Sequence, residues 1–525
     1  MDADATPFSR TVASESAGLV PGFEPGPSTL TQISASAAPP RPPAAPEPPV
    51  LTLRAAWTLM VGTGLVGLSL LFLRILSAQF FPGTTTADHP VFAAFAALVA
   101  GGLVWMALFP VLARIARSGS PARVLVWGGL AAGLLFRALF FDTYAIYEDD
   151  FRRYLWDGAV VLETGNPFEH SPTQALQPPD PADSESLAAV KRLAQERSLF
   201  PAGINNPDLT TIYPSTAQAA FALAAWFSPL GPDALRGVFL LVEAATFVLL
   251  LKALQAYGRH PIWVLAYALC PLVAFAGFNT LHMDILLVPF VLGAMLLVGR
   301  RPVWAAVSLG LAVGVKVWPL VLGPVLFRQY RHQPLRFVAY GAVLGLVGAA
   351  LLWPIVAELG DDSGLGAYSE TWVRSSFLFP LFADAIAGFV DDPGRTARLA
   401  VAGAVSAVAL GLALIAKPDP QRLPLALLAV TATLLFLSPT GYPWYAIWVA
   451  LFLPFVPSWG VALLCVTVSL YYVRFWLGEG GRYSVYTDIL VPIQFGLPLL
   501  VIAWESWRAR GRAAREDTPE DPVRA

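Results

Sequence analysis

Val91–Leu112 reads VFAAFAALVAGGLVWMALFPVL, a run with no charged side chain that closes on Arg114 and Arg117. About 20 mostly apolar residues cross the hydrocarbon layer of a bilayer as a helix, so this stretch predicts a membrane span. Similar runs recur on both sides of it: Trp57–Ser77, Val124–Phe141, Leu235–Leu251, Ile262–Phe278, Met283–Val298, Phe337–Val356, Leu399–Ala416, Leu423–Leu437, Tyr445–Val456, Trp459–Leu477 and Ile489–Trp504. The whole chain of 525 residues is 56% hydrophobic and 13% charged, with a mean hydropathy of +0.60. Such a chain would expose large apolar patches in water, so its solvent is mainly lipid. The expected fold is all-α, a polytopic transmembrane helical bundle of about 12 to 14 spans, with a long first loop on the extracytoplasmic side.

Charge placement sets the orientation. Basic residues gather at Arg114, Arg117 and Arg123; Lys252 and Arg259; Arg300 and Arg301; Arg328, Arg331 and Arg336; Lys417 and Arg422; and Arg508, Arg510, Arg512 and Arg515. Lys and Arg accumulate on the cytoplasmic side, so these connections are assigned inside, with both termini. Two stretches need irregular elements to keep that pattern. Lys316 and Pro319 interrupt one apolar run, which predicts half-helices Val303–Val315 and Val317–Phe327. Pro214–Phe227 is expected to lie at the interface or re-enter. Irregular backbone at membrane depth occurs where it lines a cavity.

Residues 1–53 carry a Pro-rich cluster from Pro39 to Pro49 without apolar periodicity, which reads as a disordered cytoplasmic tail. They show no basic start followed by an apolar core and a cleavage site, so the first span is expected to serve as the insertion signal. Residues 54–507 form the membrane domain and 508–525 a second cytoplasmic tail. The net charge of −2 points away from nucleic acid. Cys270 and Cys465 lie far apart in apolar runs and suggest neither a disulfide framework nor a zinc site.

Chemistry is therefore sought in the outer connections, 142–212, 279–282, 358–398 and 438–444. The first begins Tyr147-Glu148-Asp149-Asp150-Phe151-Arg152-Arg153-Tyr154-Leu155-Trp156-Asp157-Gly158. Three adjacent carboxylates repel one another and are partly desolvated beside a membrane, which raises the proton affinity of at least one. On a helix, Asp150, Arg153 and Asp157 share a face, and Asp149 reaches Arg153 at i,i+4; a solvated acidic helix start has the same spacing. Gly165-Asn166-Pro167-Phe168 marks the end of that helix. Asn279, His282 and Asp284 form a second corner at the membrane boundary, where an ionisable residue costs about 2.5–3.5 kcal/mol. Lys316, at the apex of the half-helix hairpin, calls for an anion, with a lipid phosphate as the natural candidate. Arg137, Arg374 and Arg474 are further outer cations, able to neutralise phosphate or to anchor the interface. Tyr442, Trp444 and Tyr445 suit either an aromatic belt or a sugar platform.

The ordered set resembles the GT-C superfamily of membrane glycosyltransferases, in particular bacterial mannosyltransferase-like enzymes that use polyprenyl-phosphate sugars. The resemblance rests on Glu148-Asp149-Asp150, Arg153 to Gly158, Gly165 to Phe168, Tyr213-Pro214, Asn279 with His282 and Asp284, Gly310 to Pro319, and Tyr442 to Tyr445. It implies an inverting transfer of a hexose, mannose by preference, from a polyprenyl-phosphate-linked sugar to a glycan or lipid acceptor. The site would face the periplasm or outside, from a multi-pass position in the bacterial cytoplasmic (inner) membrane. It also implies Asp149 or Asp150 as the catalytic base. Glu148, Arg153, Tyr154, Asp157, Asn166, His282, Asp284, Lys316, Arg374, Tyr442, Trp444 and Tyr445 would bind substrate. Members with monophosphate donors work without metal, so no cofactor is expected, although Asp149, Asp150, His282 and Asp284 offer oxygen and nitrogen donors for a divalent cation. Two additional spans, Trp57–Ser77 and Val91–Leu112, depart from the common pattern. The lack of a large soluble domain after the last span argues against transfer to protein sequons. A transporter or flippase for the same lipid is the competing reading; a transporter would show polar residues at the bilayer midplane and an internal repeat.

Overall fold

The computed structural model describes residues 53–81, 88–198, 200–359, 363–417 and 419–516. The Pro-rich stretch and the end of the C-terminal tail lie outside them. Helices dominate throughout, and the only β pairing among the described residues is an isolated parallel bridge between Arg374 and Thr440. Among the described residues, eight helices are long and apolar enough to cross a membrane: Leu53–Ser77, Val91–Arg117, Pro232–Ala256, Pro334–Ala357, Pro393–Leu414, Pro420–Leu437, Trp459–Glu479 and Tyr483–Gly511. The pair Pro261–Ala268 and Pro271–Asn279, bent by 52°, makes a ninth if taken as one span. The all-α, multi-pass expectation therefore holds.

Spanning helices are fewer than expected because the remaining apolar runs are broken. Arg123–Ala138 has 16 residues, Met283–Leu297 and Pro302–Val313 are shorter apolar helices, and Tyr445–Val456 yields only the five-residue helix Ala446–Ala450 before a series of turns. Proline accounts for much of this: Pro271 and Pro319 each sit at the start of a new short piece, where the missing N–H costs nothing. These pieces are buried against neighbouring helices, which satisfies irregular backbone at membrane depth. The hairpin inferred around Lys316 takes this form, with Pro302–Val313 descending to Lys316 and the 3₁₀ turn Trp318–Leu322 leaving it. The C-terminal helix continues to Glu516, past the expected start of the tail.

Pro232–Ala256 gives the molecule its two ends. At its start Asp233 Oδ1 accepts from the Asp142 N–H at 3.0 Å, and Arg236 donates to the Thr143 carbonyl. At its finish Lys252, Gln255 and Ala256 meet Arg300, Arg328 and Gln421 around a cavity. At 1.5 Å per residue the two ends lie roughly 35 Å apart. The basic connections noted in the sequence fall on the Lys252 end: His260 pairs with the Ser120 carbonyl, and Arg328 reaches the Asp419 carbonyl. The acidic loop lies at the other.

Candidate active site

The acidic loop is held before it is charged. Asn279 accepts from the Ile146 N–H at 3.0 Å and donates to the Tyr144 carbonyl at 3.0 Å. Arg236, almost fully buried, donates to Phe278 and Thr143 carbonyls. Tyr147 then takes a left-handed conformation, φ 64°, and its ring stacks on Phe475 at 4.3 Å. A bulky residue at positive φ costs on the order of 1–3 kcal/mol and persists where its surroundings impose it. A second such residue, Leu281 with φ 58°, immediately precedes His282. Beyond the loop, helix Asp150–Thr164 packs on Ser215–Phe227 with Gly158 directly against the Phe221 carbonyl, where a Cβ has no room.

Glu148, Asp149 and Asp150 emerge together at the wall of a cavity of about 780 Å³. Asn205 ties two of them, its Nδ2 donating to Asp149 Oδ1 at 2.8 Å and Asp150 Oδ1 at 2.9 Å. Burial, reinforced by the neighbouring Asp150, pushes the Glu148 carboxyl well above its ordinary range. Burial likewise raises Asp149 against the Asn205 hydrogen bond, and raises Asp150 to about 6. Behind them His282 is fully buried, its Nε2 3.9 Å from Glu148 Oε2 and its Nδ1 3.9 Å from Asp150 Oδ2. Neither ring nitrogen makes a hydrogen bond among the described residues.

Cations and aromatic rings form the rest of the wall. Lys316 Nζ sits 2.8 Å from Asp284 Oδ1, 4.1 Å above the Tyr445 ring and 5.1 Å from that of Trp448. Asp284 also accepts from Trp448 Nε1 at 2.6 Å. The lysine thus has a protein counter-ion in Asp284, a partner that the spacing of the sequence did not point to. Its ammonium still lines the cavity, with Arg374 and Arg474. Arg474 donates to Tyr471 at 2.6 Å and lies 4.2 Å above that ring. Tyr442, Trp444 and His282 form a continuous stack, with centroids 4.5 Å and 3.4 Å apart, so Trp444 is a buried support and not a member of an interfacial belt. The bridge from Arg374 to Thr440 pins the segment carrying Arg374 to the one carrying Tyr442.

Of the residues singled out in the sequence, Glu148, Asp149, Asp150, Tyr154, Lys316, Arg374, Tyr442, Trp444 and Tyr445 line this cavity, while His282 and Asp284 back it. Three others do not reach it. Arg153 forms no ion pair with Asp149; it donates to the Leu209 and Asn206 carbonyls at 3.0 and 2.9 Å and closes the return of the loop. Asp157 is buried between Thr211 and Gln218, and burial raises its carboxyl to about 6. Asn166 bonds Glu358 at 3.2 Å and caps its own turn. Arg137 is not an outer cation: fully buried, it pairs with Glu243 at 2.5 Å and donates to the Gly133 and Ala268 carbonyls.

Asn205, Trp318, Trp448 and Tyr471 belong to the site and carry no local sequence signal. A second cavity, of about 850 Å³, lies on the other side of the acidic loop and shares Tyr147, Glu148 and Asp149 with the first. Its walls mix aromatic rings (Phe80, Phe81, Tyr144, Phe151, Phe200) with Asp142, Asp233, Arg152 and Arg236. Among the described residues no cluster of three or more His, Cys, Asp or Glu is arranged to hold a metal ion. No family model, no curated protein and no solved structure matches this chain.

Proposed function

We propose that the protein is an inverting glycosyltransferase of the GT-C kind. In this reading it moves a hexose from a polyprenyl-phosphate donor to a hydroxyl of a glycan or lipid acceptor on the extracytoplasmic face of a bacterial inner membrane. The observation that carries this reading is the position of Asp149 in a wall shared by two cavities, one of which also presents Lys316, Arg374 and Arg474. The donor phosphate occupies the cavity with the cations and the acceptor the aromatic cavity. The acceptor oxygen attacks the anomeric carbon as the bond from that carbon to the phosphate oxygen breaks. The hydroxyl proton passes to Asp149, and the departing lipid phosphate keeps its electron pair beside the cations.

Burial, working against the Asn205 hydrogen bond that ties Asp149 to Asp150, keeps the proton affinity of Asp149 raised, so that it accepts a proton more readily than an isolated carboxylate. Aromatic faces opposite carboxylates suit a sugar, whose C–H face stacks while its hydroxyls donate. The test is transfer by purified protein in proteoliposomes from radiolabelled polyprenyl-phosphate mannose, scored with binding of the donor. Asp149→Asn should lower transfer by about 10²–10⁴-fold, the usual worth of a general base, while donor binding persists. Unchanged transfer removes Asp149 as the base. Wild-type protein that binds donor and moves it across the bilayer without transfer makes it a flippase instead.

A further inference from the structure

The opposite end of the molecule holds a third cavity, of about 590 Å³, that the chemistry above does not use. Lys252, Arg300 and Arg328 line it, with Gln255, Gln329 and Gln421, and no Asp or Glu is among the lining residues. Arg328 is the most informative of them. It is only 4% exposed, and its Nη2 donates to the Asp419 carbonyl at 2.7 Å. Its remaining guanidinium nitrogens make no hydrogen bond among the described residues. The Asp419 carboxylate is turned to Arg422 at 3.4 Å and to the Gln421 N–H; it acts on Arg328 through space, from outside the lining and without an ion-pair contact.

Two of the other polar groups are already committed to the backbone: Gln329 donates to the Val298 carbonyl at 2.9 Å and Tyr257 to the Met295 carbonyl at 3.0 Å. They fix the walls and leave the three cations, with the Gln255 and Gln421 amides, as the ligand-directed groups. Met295, Leu296, Leu326 and Leu423 give the same cavity an apolar side. It lies where Pro232–Ala256 finishes and Pro420–Leu437 begins, and the ends of spanning helices meet the headgroup layer of a bilayer.

We propose that this cavity is a binding site for a phosphate-bearing anion, with the headgroup of an anionic phospholipid as its occupant. Three cations without a lining carboxylate match a phosphodiester, and the apolar side takes the first carbons of the acyl chains. The site stands independently of any transferase chemistry at the other end.

The experiment uses the full-length protein in nanodiscs. One arm measures phosphatidylglycerol retained per protein from mixed phosphatidylglycerol and phosphatidylcholine discs, and the other titrates inorganic phosphate in pure phosphatidylcholine discs. Each basic residue near an anionic headgroup is worth about a fivefold change in binding. The exposed Lys252→Gln and Arg300→Gln variants should each weaken phosphatidylglycerol retention by about that factor, and the triple variant with Arg328→Gln by about a hundredfold. If Arg328→Gln disturbs folding, the two surface variants and their double carry the test. Saturable binding of inorganic phosphate that the same variants abolish, without lipid preference, assigns the anion site to a soluble phosphate. Lipid retention and phosphate binding that are equal in wild-type and variants overturn the proposal.

Discussion

Two charged clusters within this bundle are built on opposite plans. Around Arg137 and Glu243 nearly every polar group is matched: the guanidinium meets the carboxylate at 2.5 Å and two carbonyls, and Tyr267 donates to the other carboxylate oxygen at 2.9 Å. In the acidic loop Glu148 and Asp150 face a histidine whose two ring nitrogens make no hydrogen bond among the described residues, with Asp149 beside them at a cavity. A buried pair that is fully matched holds structure. A cluster left unmatched keeps proton affinity and charge available to a ligand. Charge at membrane depth is thus not by itself a sign of function; its state of satisfaction is.

The largest effect expected from this contrast is at the matched cluster. Arg137→Met, which strands the Glu243 carboxylate, should cost about 3–5 kcal/mol of stability, and pairing it with Glu243→Leu should recover most of the loss. Thermal unfolding in detergent measures both, and a single variant that costs nothing breaks the contrast. Next comes Gly158→Val, which would force helix Asp150–Thr164 off the Phe221 carbonyl and cost about 1–3 kcal/mol. It should also lower transfer, since that helix carries Asp150. A thermal midpoint equal to wild type would show that the contact yields.

The acids should reveal themselves through pH. Asp150 and Asp157 each bind a proton more tightly folded than unfolded, with folded values of about 6 against 3.8. Folding therefore takes up protons in that window. Stability should rise as pH falls from 6 towards 3.8, by at most about 1.4 kcal/mol per pH unit for each group, and should fall again as pH climbs through 6. Asp157→Asn should flatten part of that slope in unfolding curves collected across the window, and a variant with the wild-type slope contradicts the assignment. Smallest of all is the stability effect of Asp149→Asn, expected within about 0.5 kcal/mol because the side chain is exposed to the cavities. Loss of transfer in a variant of wild-type stability sharpens the contrast most.

Composition and the lengths of the apolar runs made the all-α membrane bundle legible, and the gathering of Lys and Arg made its two ends legible. The number of full spans was not, because hydropathy registers an apolar run whether or not proline cuts it, as in Tyr445–Val456. At the site, Glu148 to Asp150 and Arg374 were readable as charges in the polar connections, and Lys316 as a charge interrupting an apolar run. Arg137 was misread because its partner Glu243 is far along the chain, on the spanning helix Pro232–Ala256. Asn205 was invisible for a related reason: a lone asparagine in a polar loop acquires meaning only when folding brings it over two carboxylates.

The most direct test of the account is an experimental structure of the protein with a polyprenyl phosphate bound. The phosphate is expected within about 4 Å, the reach of an ion pair, of Lys316 or an arginine of the same cavity, with the Asp149 carboxylate facing the side the acceptor enters. A phosphate seated away from Lys316, Arg374 and Arg474, with the acidic loop untouched, would contradict it.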